Sequence, residues 1–240
     1  MQQYKKQFTD PGHTGTVCNL QSCLRLDDLD EVGDGTHYLS FGMLGMFSFR
    51  ELTVEETVRH WLTFLEDLGI KPDYVTVHPD RKEWSSFYPE WLEVREDPEC
   101  TWTDGSLTGY CTEFFVGDLE IGNIVNPNGD CIDVGFGLER LCMVLGEVPP
   151  STGDVLRSTV QQLIADGYKP GNKRQDYALR RLLRLMVVKG FDLDHPYMQK
   201  ELDRQERSRL KYERLVQQER HRDKLPDWWW STHGIDVSSM

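Results

Sequence analysis

The residues with the clearest chemical potential form one short run, Asp133 to Leu141 (DVGFGLERL). Gly135 and Gly137 flank a single residue, and glycine lets a backbone pass close to a ligand because it has no Cβ. Glu139 and Arg140 then open a predicted helix, and the planar guanidinium of Arg140 can hold two phosphate oxygens. The run predicts a phosphate-binding turn. A glycine turn followed by a surface arginine is the alternative.

A second arginine and an aromatic ring occur earlier in the chain. Arg25 ends the segment QSCLR, and Phe41 lies within HYLSFGMLGMFSF, residues 37–49. An aromatic ring that stacks on a base, together with two arginines for the phosphates, makes a reasonable nucleotide clamp. Taken singly, such residues are more often part of a core or a surface.

These segments resemble the alanyl-tRNA synthetases, a family of class II aminoacyl-tRNA synthetases. DVGFGLERL is similar to class II motif 3, and residues 21–49 are similar to the motif 2 region, Q-R-C-x-R followed by H-H-T-F-F-E-M-L-G-N-F-S-F. The resemblance implies that Arg25 contacts the ATP α-phosphate, that Phe41 stacks on adenine and that Arg140 holds the γ-phosphate. It also assigns ATP binding to Gly135 and Gly137, and catalysis to Arg25 and Arg140.

The same resemblance implies an amino-acid pocket. The segments GYCTE (109–113) and EIGNIV (120–125) are similar to the family's G-P-C-(T/S)-E and E-I-W-N-I-V. The implied roles are a pocket wall for Trp102, a hydrogen bond to the substrate carboxylate for Asn123, and an ion pair with its ammonium group for Asp133. An amide facing an anion and a carboxylate facing a cation suit a zwitterion. Glu120 is a candidate Mg²⁺ ligand, with an ordinary strand carboxylate as the alternative.

Residues 165–184 (ADGYKPGNKRQDYALRRLLR) resemble the family element that approaches the tRNA acceptor stem. Asn172 falls where the family reads an acceptor base pair. The implied tRNA contacts are Asn172, Arg180, Arg181 and Arg184. Ser238 is expected to stand where the family has an acidic tRNA contact, so this contact is expected to be missing.

The sequence also departs from the family pattern. Gly42 stands where the family has Glu, and Gly122 where it has Trp, so both changes are expected to enlarge or loosen the site. Met1–Lys5 resembles the family segment that follows motif 1, and the motif 1 elements and an editing domain are expected to be absent. A pocket separates substrates differing by one methylene by only about 1–3 kcal/mol, which is why the family normally edits.

Apolar periodicity indicates the elements that must position these residues. Residues 52–68 predict an amphipathic helix, with Thr53 as N-cap and Glu56 closing a capping box. Asn126–Gly129 predicts a tight turn joining two antiparallel strands. The predicted strands are 74–78, 110–115, 119–125 and 131–134, and the later predicted helices are 151–166, 176–189 and 198–224. The predicted fold is α+β: a class II synthetase antiparallel sheet flanked by helices, followed by a small all-α domain.

Charge divides the chain in the same place. Residues 1–150 carry 10 Lys and Arg against 27 Asp and Glu, whereas residues 151–225 carry 17 against 11. This asymmetry predicts a catalytic, adenylating domain over 1–150 and a helical tRNA- or acceptor-recognition domain over 151–240. A helix laced with surface salt bridges is the alternative for part of the basic segment.

The composition also bounds the compartment and the cofactors. The six cysteines form no C-x-x-C pair, so reduced thiols in a cytoplasmic protein are expected and no zinc is predicted. No apolar run has the length of a membrane helix and the start is not a signal peptide, so no membrane partner is expected.

The resemblance and the residues together predict a ligase. The expected reaction is ATP- and Mg²⁺-dependent activation of alanine, or a similar small amino acid, as an aminoacyl adenylate. Transfer to the acceptor stem of a tRNA is the family default. Two alternatives stay open: a tRNA-independent ligase that uses a carrier protein or a small molecule as acceptor, and a non-catalytic RNA-binding paralogue.

Overall fold

The computed structural model describes residues 4–26, 29, 32 and 34–217, with side chains up to residue 214. Within these residues the chain divides into two compact units. Unit 1 contains the described residues up to 25 and residues 41–149, and unit 2 contains those of 26–40 together with those from 150 onward. The functional division at 150 stays a prediction. In the described part of the chain no helix has both the length and the apolar character needed to cross a bilayer.

A mixed, mostly antiparallel sheet forms the centre of unit 1. Its described strands are β1 (Gly15–Leu24), β2 (Ser40–Phe49), β3 (Tyr74–Val77), β4 (Glu93–Glu96), β5 (Thr101–Thr103), β6 (Thr108–Val116), β7 (Leu119–Pro127) and β8 (Cys131–Gly137). They follow the order β1-β2-β8-β7-β6-β3-β4, with β5 on β6. The β3–β4 pair is parallel, and the pairs from β2 through β8, β7 and β6 to β3 are antiparallel. With its flanking helices, this sheet confirms the predicted α+β fold.

One face of the sheet, here called the core face, packs against the helix α2 (Val54–Asp67). The predicted capping box is present: the Glu56 amide donates to the Thr53 hydroxyl at 3.2 Å, and the Thr53 amide donates to the Glu56 carboxylate at 2.9 Å. On the buried side of α2, the Trp61 ring stacks on Phe136 with centroids 4.5 Å apart. Helix α2 therefore packs against β8 at Phe136, the residue between the two glycines of the predicted phosphate-binding turn.

The β7–β8 connection forms the tight turn that the sequence predicts. Asn128 and Gly129 have φ values of 56° and 83°, a left-handed conformation that asparagine and glycine tolerate best. The two strands that this turn connects, β7 and β8, are antiparallel, as predicted. The helix α3 (Leu138–Val144) begins directly after β8, which puts Glu139 and Arg140 in its first turn.

The other end of unit 1 contains elements that the sequence analysis did not predict. A short helix, α1 (Lys5–Thr9), places Phe8 edge-on against Phe47 and Phe49 of β2, at centroid distances of 6.2 and 5.0 Å. A 3₁₀ segment, Pro79–Phe87, follows β3. His78 is its N-cap, and the His78 ring accepts a hydrogen bond from the Asp80 amide.

Unit 2 contains three packed helices, α4 (Thr152–Ala165), α5 (Arg174–Val188) and α6 (Pro196–Gln217). The first two confirm the predicted helices, and the predicted end of the third, residues 218–224, lies outside the described residues. Leu29, Val32 and Leu39 share a buried cluster with side chains of α4 and α5. These three residues thus pack with the later helices, although the sequence analysis grouped them with the first domain.

Candidate active site

The strand register collects the predicted pocket residues on the face opposite α2. Asn123 of β7 lies opposite Gly135 of β8 and Glu113 of β6, and Asp133 lies opposite Val125 and Phe47. Directly opposed residues in antiparallel strands project to the same side. Glu113, Asn123 and Asp133 therefore share one side of the sheet, here called the polar face.

Two glycines form the floor of the polar face. Gly135 lies opposite Gly45, so two neighbouring strands present backbone without side chains. A Cβ at Gly135 would lie 3.0 Å from the Met43 sulfur, and one at Gly45 would lie 2.7 Å from the Asn19 side-chain oxygen. A side chain at either position would therefore have to displace the end of Met43 or Asn19, so the two glycines keep the backbone of both strands accessible on this face. Gly45 was not foreseen, because its partner becomes visible only in the register.

Asp133 is the most perturbed carboxylate among the predicted site residues. Its side chain is largely buried between β2 and β7, and burial raises the pKa of Asp133 to about 6. A carboxylate held away from water in this way gains most when it meets a cation. The arrangement suits an ammonium group, and the ion pair with the substrate stays a prediction.

Arg140 and Glu120, predicted separately, meet in the structure. An Arg140 Nη donates to the Glu120 backbone oxygen at 2.8 Å and to the Glu120 carboxylate at 3.1 Å. The aliphatic part of Arg140 lies about where a Cβ on Gly137 would point, at 3.5 Å. This guanidinium is held beside the polar face by its carboxylate partner, and both groups remain partly exposed.

Glu139 has a different role from its neighbour. Both of its carboxylate oxygens accept a hydrogen bond from the Gly42 amide, at 2.9 and 3.0 Å. This contact links the first turn of α3 to β2. Of the two neighbouring charged residues, Glu139 therefore has a structural contact, and Arg140 is the one available to bind an anion. In addition, a negative side chain in the first turn of a helix is favoured by the helix dipole.

The two ATP residues predicted near motif 2 lie on adjacent strands. Arg25 directly follows the last residue of β1 and is exposed, and Phe41 is the second residue of β2. Phe41, Met43 and Gly45 are alternate residues of β2 and so project to the same side of the sheet, which is the polar face. The nucleotide clamp formed by Arg25, Phe41 and Arg140 stays a prediction.

Trp102 lies on the same face, towards α1. It pairs with Gly109 of β6, and Gly109 projects to the same side of the sheet as Cys111 and Glu113, the alternate residues that follow it. Its ring packs against two buried groups, one around Phe47 and one around Cys111 and Val125. Trp102 can therefore form one end wall of a pocket whose floor is Gly135.

The expectation that Gly42 and Gly122 enlarge the site is wrong. Gly122 pairs with Phe136, a fully buried residue of the core face, and a Cβ on Gly122 would lie 2.3 Å from the Phe136 ring. A Cβ on Gly42 would likewise meet Leu138 at 3.2 Å. Gly122 is next to Asn123 in sequence but projects to the other side of the sheet, where Phe136 already fills the space that the family's Trp would need.

The predicted tRNA residues lie in unit 2. Asn172 is exposed before α5, and its side-chain oxygen accepts a hydrogen bond from Arg180. Arg181 is exposed, whereas Arg184 is mostly buried and lies 3.4 Å from the Glu201 carboxylate of α6. The expectation for Ser238 lies outside the described residues.

Glu113 is the site residue that sequence reasoning did not use. Its carboxylate lies opposite Asn123, and burial, followed by the nearby Glu120, raises its pKa. The sequence does contain a feature that could have placed Glu113 near Asn123. The two-residue turn at Gly117 and Asp118 joins β6 to β7 and sets the register between them. A bulge at Phe114 and Phe115 shifts that register by one residue, which turn position alone does not reveal.

Comparisons with known proteins show what the sequence of the chain is similar to. Residues 1–104 match the family model described as tRNA synthetases class II (A). The chain is similar to alanine–tRNA ligases of Tropheryma whipplei strain Twist (29% identity over 71% of this chain and 28% of the relative) and Geobacillus thermodenitrificans (28% over 76% and 30%). It is also similar to that of Archaeoglobus fulgidus (28% over 68% and 18%).

The extent of these matches matters as much as their identity. The chain spans less than a third of the length of these curated relatives. The matched part includes motif 2 and the sheet strands before β6. Residues 1–104 therefore resemble a class II tRNA synthetase (A) domain, and about 70% of the chain is similar in sequence to part of the alanine–tRNA ligases.

Proposed function

We propose that the protein activates alanine, or a similarly small amino acid, with ATP to form an aminoacyl adenylate. The observation that carries the proposal is the polar face: a buried carboxylate, an amide and a fixed arginine lie around a floor of two glycines. An adenylating site needs a cation pocket, an anion contact and room for a nucleotide. Homology to alanine–tRNA ligases supports the choice of substrate class.

The residues divide the work of binding. Asp133 receives the ammonium group of the amino acid and Asn123 hydrogen-bonds its carboxylate, so one carboxylate oxygen is directed at the ATP α-phosphorus. That oxygen forms a bond to phosphorus as the bond to the pyrophosphate oxygen breaks, and the electron pair leaves with pyrophosphate. Arg25 at the α-phosphate and Arg140 at the γ-phosphate stabilise the charge that develops and departs.

The donor set fits Mg²⁺, the expected cofactor. Glu120 offers carboxylate oxygens beside Arg140, is about a third exposed, and oxygen donors are the ligands that Mg²⁺ prefers. A bound Mg²⁺ would neutralise phosphate charge. Arg140 would then exchange its present contact with Glu120 for the γ-phosphate.

Pyrophosphate exchange tests activation directly. With alanine, glycine and serine offered separately, the protein should return labelled pyrophosphate into ATP. Arg140→Ala should lower the exchange by at least a hundredfold, because the guanidinium stabilises charge in the transition state. The matched control is Arg59→Ala, an exposed α2 arginine paired with Glu55. Undiminished exchange in Arg140→Ala, with a normal unfolding temperature, would reject the phosphate role of that residue.

Transfer to a tRNA is the family default for the second step, and one observation favours another acceptor. The Asn172 oxygen, predicted to read a base pair, is engaged by Arg180 within unit 2. A carrier protein or a small amine as acceptor would leave that contact undisturbed. Exchange with no transfer to tRNA would support this second candidate, and no exchange with any amino acid would instead support a non-catalytic RNA-binding paralogue.

A further inference from the structure

A cluster of thiols and a carboxylate lies at the edge of the polar face and has no part in the function proposed above. Cys100, just before β5, lies opposite Cys111 of β6, and its backbone oxygen accepts the Cys111 amide at 3.0 Å. Glu113 is two residues further along β6, on the same side of the sheet. Strand pairing thus brings together two cysteines that are eleven positions apart, a spacing that no sequence motif for a metal site would select.

The distances within the cluster are close to those of a coordination shell. The two sulfurs are 3.3 Å apart, the Cys111 sulfur is 3.7 Å from a Glu113 oxygen, and the ligand atoms all lie within 4.8 Å of one another. A tetrahedral ion with bonds of about 2.3 Å to sulfur and about 2.1 Å to oxygen holds its ligands roughly 3.6–3.8 Å apart. Side-chain rotations that move the ligand atoms by about 1 Å would therefore suffice.

Burial makes an ionised cluster unfavourable unless a cation is present. Cys100 and Cys111 are fully buried, and Glu113 is mostly buried beside them. Three acidic groups that each lose hydration and repel one another when ionised can share this space with a divalent ion at their centre.

We propose that Cys100, Cys111 and Glu113 bind one thiophilic divalent metal ion, of the zinc type. Binding displaces the two thiol protons to solvent and forms two metal–thiolate bonds and one metal–carboxylate bond. The Thr76 hydroxyl lies 3.3 Å from both the Cys100 sulfur and a Glu113 oxygen, so it orients the ligands from the neighbouring strand.

The preference for this class of ion follows from the donors. Two thiolates and one carboxylate suit Zn²⁺, Co²⁺ or Cd²⁺, whereas Mg²⁺ prefers oxygen alone. The inference concerns this chain's own residues and does not depend on adenylation. A chain that fails pyrophosphate exchange can still bind the ion, and an exchanging chain can lack it.

Cobalt titration of the reduced protein tests the site. In the presence of a phosphine reductant, one Co²⁺ per chain should bind and produce the ultraviolet thiolate-to-cobalt charge-transfer band, and Zn²⁺ should then displace it. Cys100→Ser and Cys111→Ser should each lose the band or reduce it to about half, and Glu113→Gln should weaken binding at least tenfold. The matched control is Cys18→Ser, which removes an exposed thiol outside the cluster.

Thermal unfolding keeps the test valid if a buried cysteine variant folds poorly. Zn²⁺ should raise the unfolding temperature of the wild-type chain and of Cys18→Ser, and should leave that of Glu113→Gln nearly unchanged. A charge-transfer band of undiminished intensity in Cys100→Ser would overturn the assignment. A fully reduced wild-type chain that binds no Co²⁺ would also overturn it, and would leave disulfide formation as the chemistry of Cys100 and Cys111.

Discussion

At the residue scale, Asp133 is subject to two opposing requirements. The ammonium group of an amino acid calls for a charged carboxylate, yet the position between β2 and β7 withholds water from that charge. Burial therefore raises the pKa from 3.8 to about 6. Between these values the folded chain keeps a proton that the unfolded chain has lost, so the free energy of unfolding falls as the pH rises through this window.

Asp133→Asn should separate binding from stability. At pH 8 the free energy of unfolding should rise by up to roughly 2 kcal/mol, because an amide has no charge to desolvate, and the gain should shrink as the pH falls to 5. Pyrophosphate exchange should be lost at every pH. In the wild type, the KM for the amino acid should rise below about pH 6, where Asp133 becomes protonated.

Urea denaturation across this pH range measures the first effect, and Asp118→Asn is the matched control. Asp118 is an exposed carboxylate on the β6–β7 turn of the same sheet. If Asp133→Asn were less stable than the wild type at pH 8, or if both variants changed alike, burial of the charge would not be the cause.

At the scale of secondary-structure elements, the partnership between β7 and β8 decides which substitutions the sheet accepts. The Phe136 ring fills the space above Gly122 and stacks on Trp61 of α2. The family pattern has its aromatic residue at the position of Gly122. We therefore expect an exchange: a large side chain at position 122 fits the fold only when the side chain at position 136 is small.

A double-mutant cycle tests this exchange. Gly122→Trp alone should destabilise the chain by roughly 3 kcal/mol or more, because two rings cannot share the core face. Phe136→Ala alone should cost about 3–5 kcal/mol through the cavity it leaves. Together they should cost clearly less than their sum, with a coupling of at least about 1 kcal/mol. Strict additivity would show that the two positions do not share a space.

The sequence predicts those elements whose pattern is local. The helix α2 shows both its cap at Thr53 and its apolar stripe, and the β7–β8 hairpin shows its turn at Asn128 and Gly129, so both are confirmed. Strand β1 was not predicted as a strand, because its exposed residues give it no continuous apolar face. The residues of the site were found through motifs, but which side of the sheet each one faces depends on register. For this reason Gly122 was misplaced and Glu113 was passed over.

At the scale of the whole molecule, ion pairs within the basic segment limit how many of its arginines are available to a nucleic acid. In unit 2, Arg184 and Arg204 both contact Glu201, and Arg209 contacts Glu206 and Glu213. These arginines hold helices or helix turns and are not free to meet phosphates at full strength. The net charge of residues 151–225 already includes these carboxylates, so the pairs leave it unchanged but reduce the number of arginines that can contact a tRNA phosphate directly.

Binding to tRNA should accordingly be measurable but poorly selective. Affinity should fall steeply with salt, and Arg181→Ala should weaken binding and reduce the logarithmic salt slope by about 1, because phosphate contacts release counterions. Arg209→Ala, an exposed but paired arginine of α6, is the matched control. Aminoacylation should be slow or absent compared with adenylate formation. Fast charging of tRNA(Ala), with none for a variant altered at its acceptor-stem identity pair, would contradict this expectation.

The path of the chain through its two units has a consequence for the growing polypeptide. The segment 26–40 is made early, but its buried partners in α4 and α5 begin about 110 residues later. At roughly 5–20 residues per second, ribosomes leave Leu29, Val32 and Leu39 without those partners for on the order of 5–25 s. A chaperone or protease that samples nascent chains therefore meets these three apolar side chains well before the helices that cover them have been synthesised.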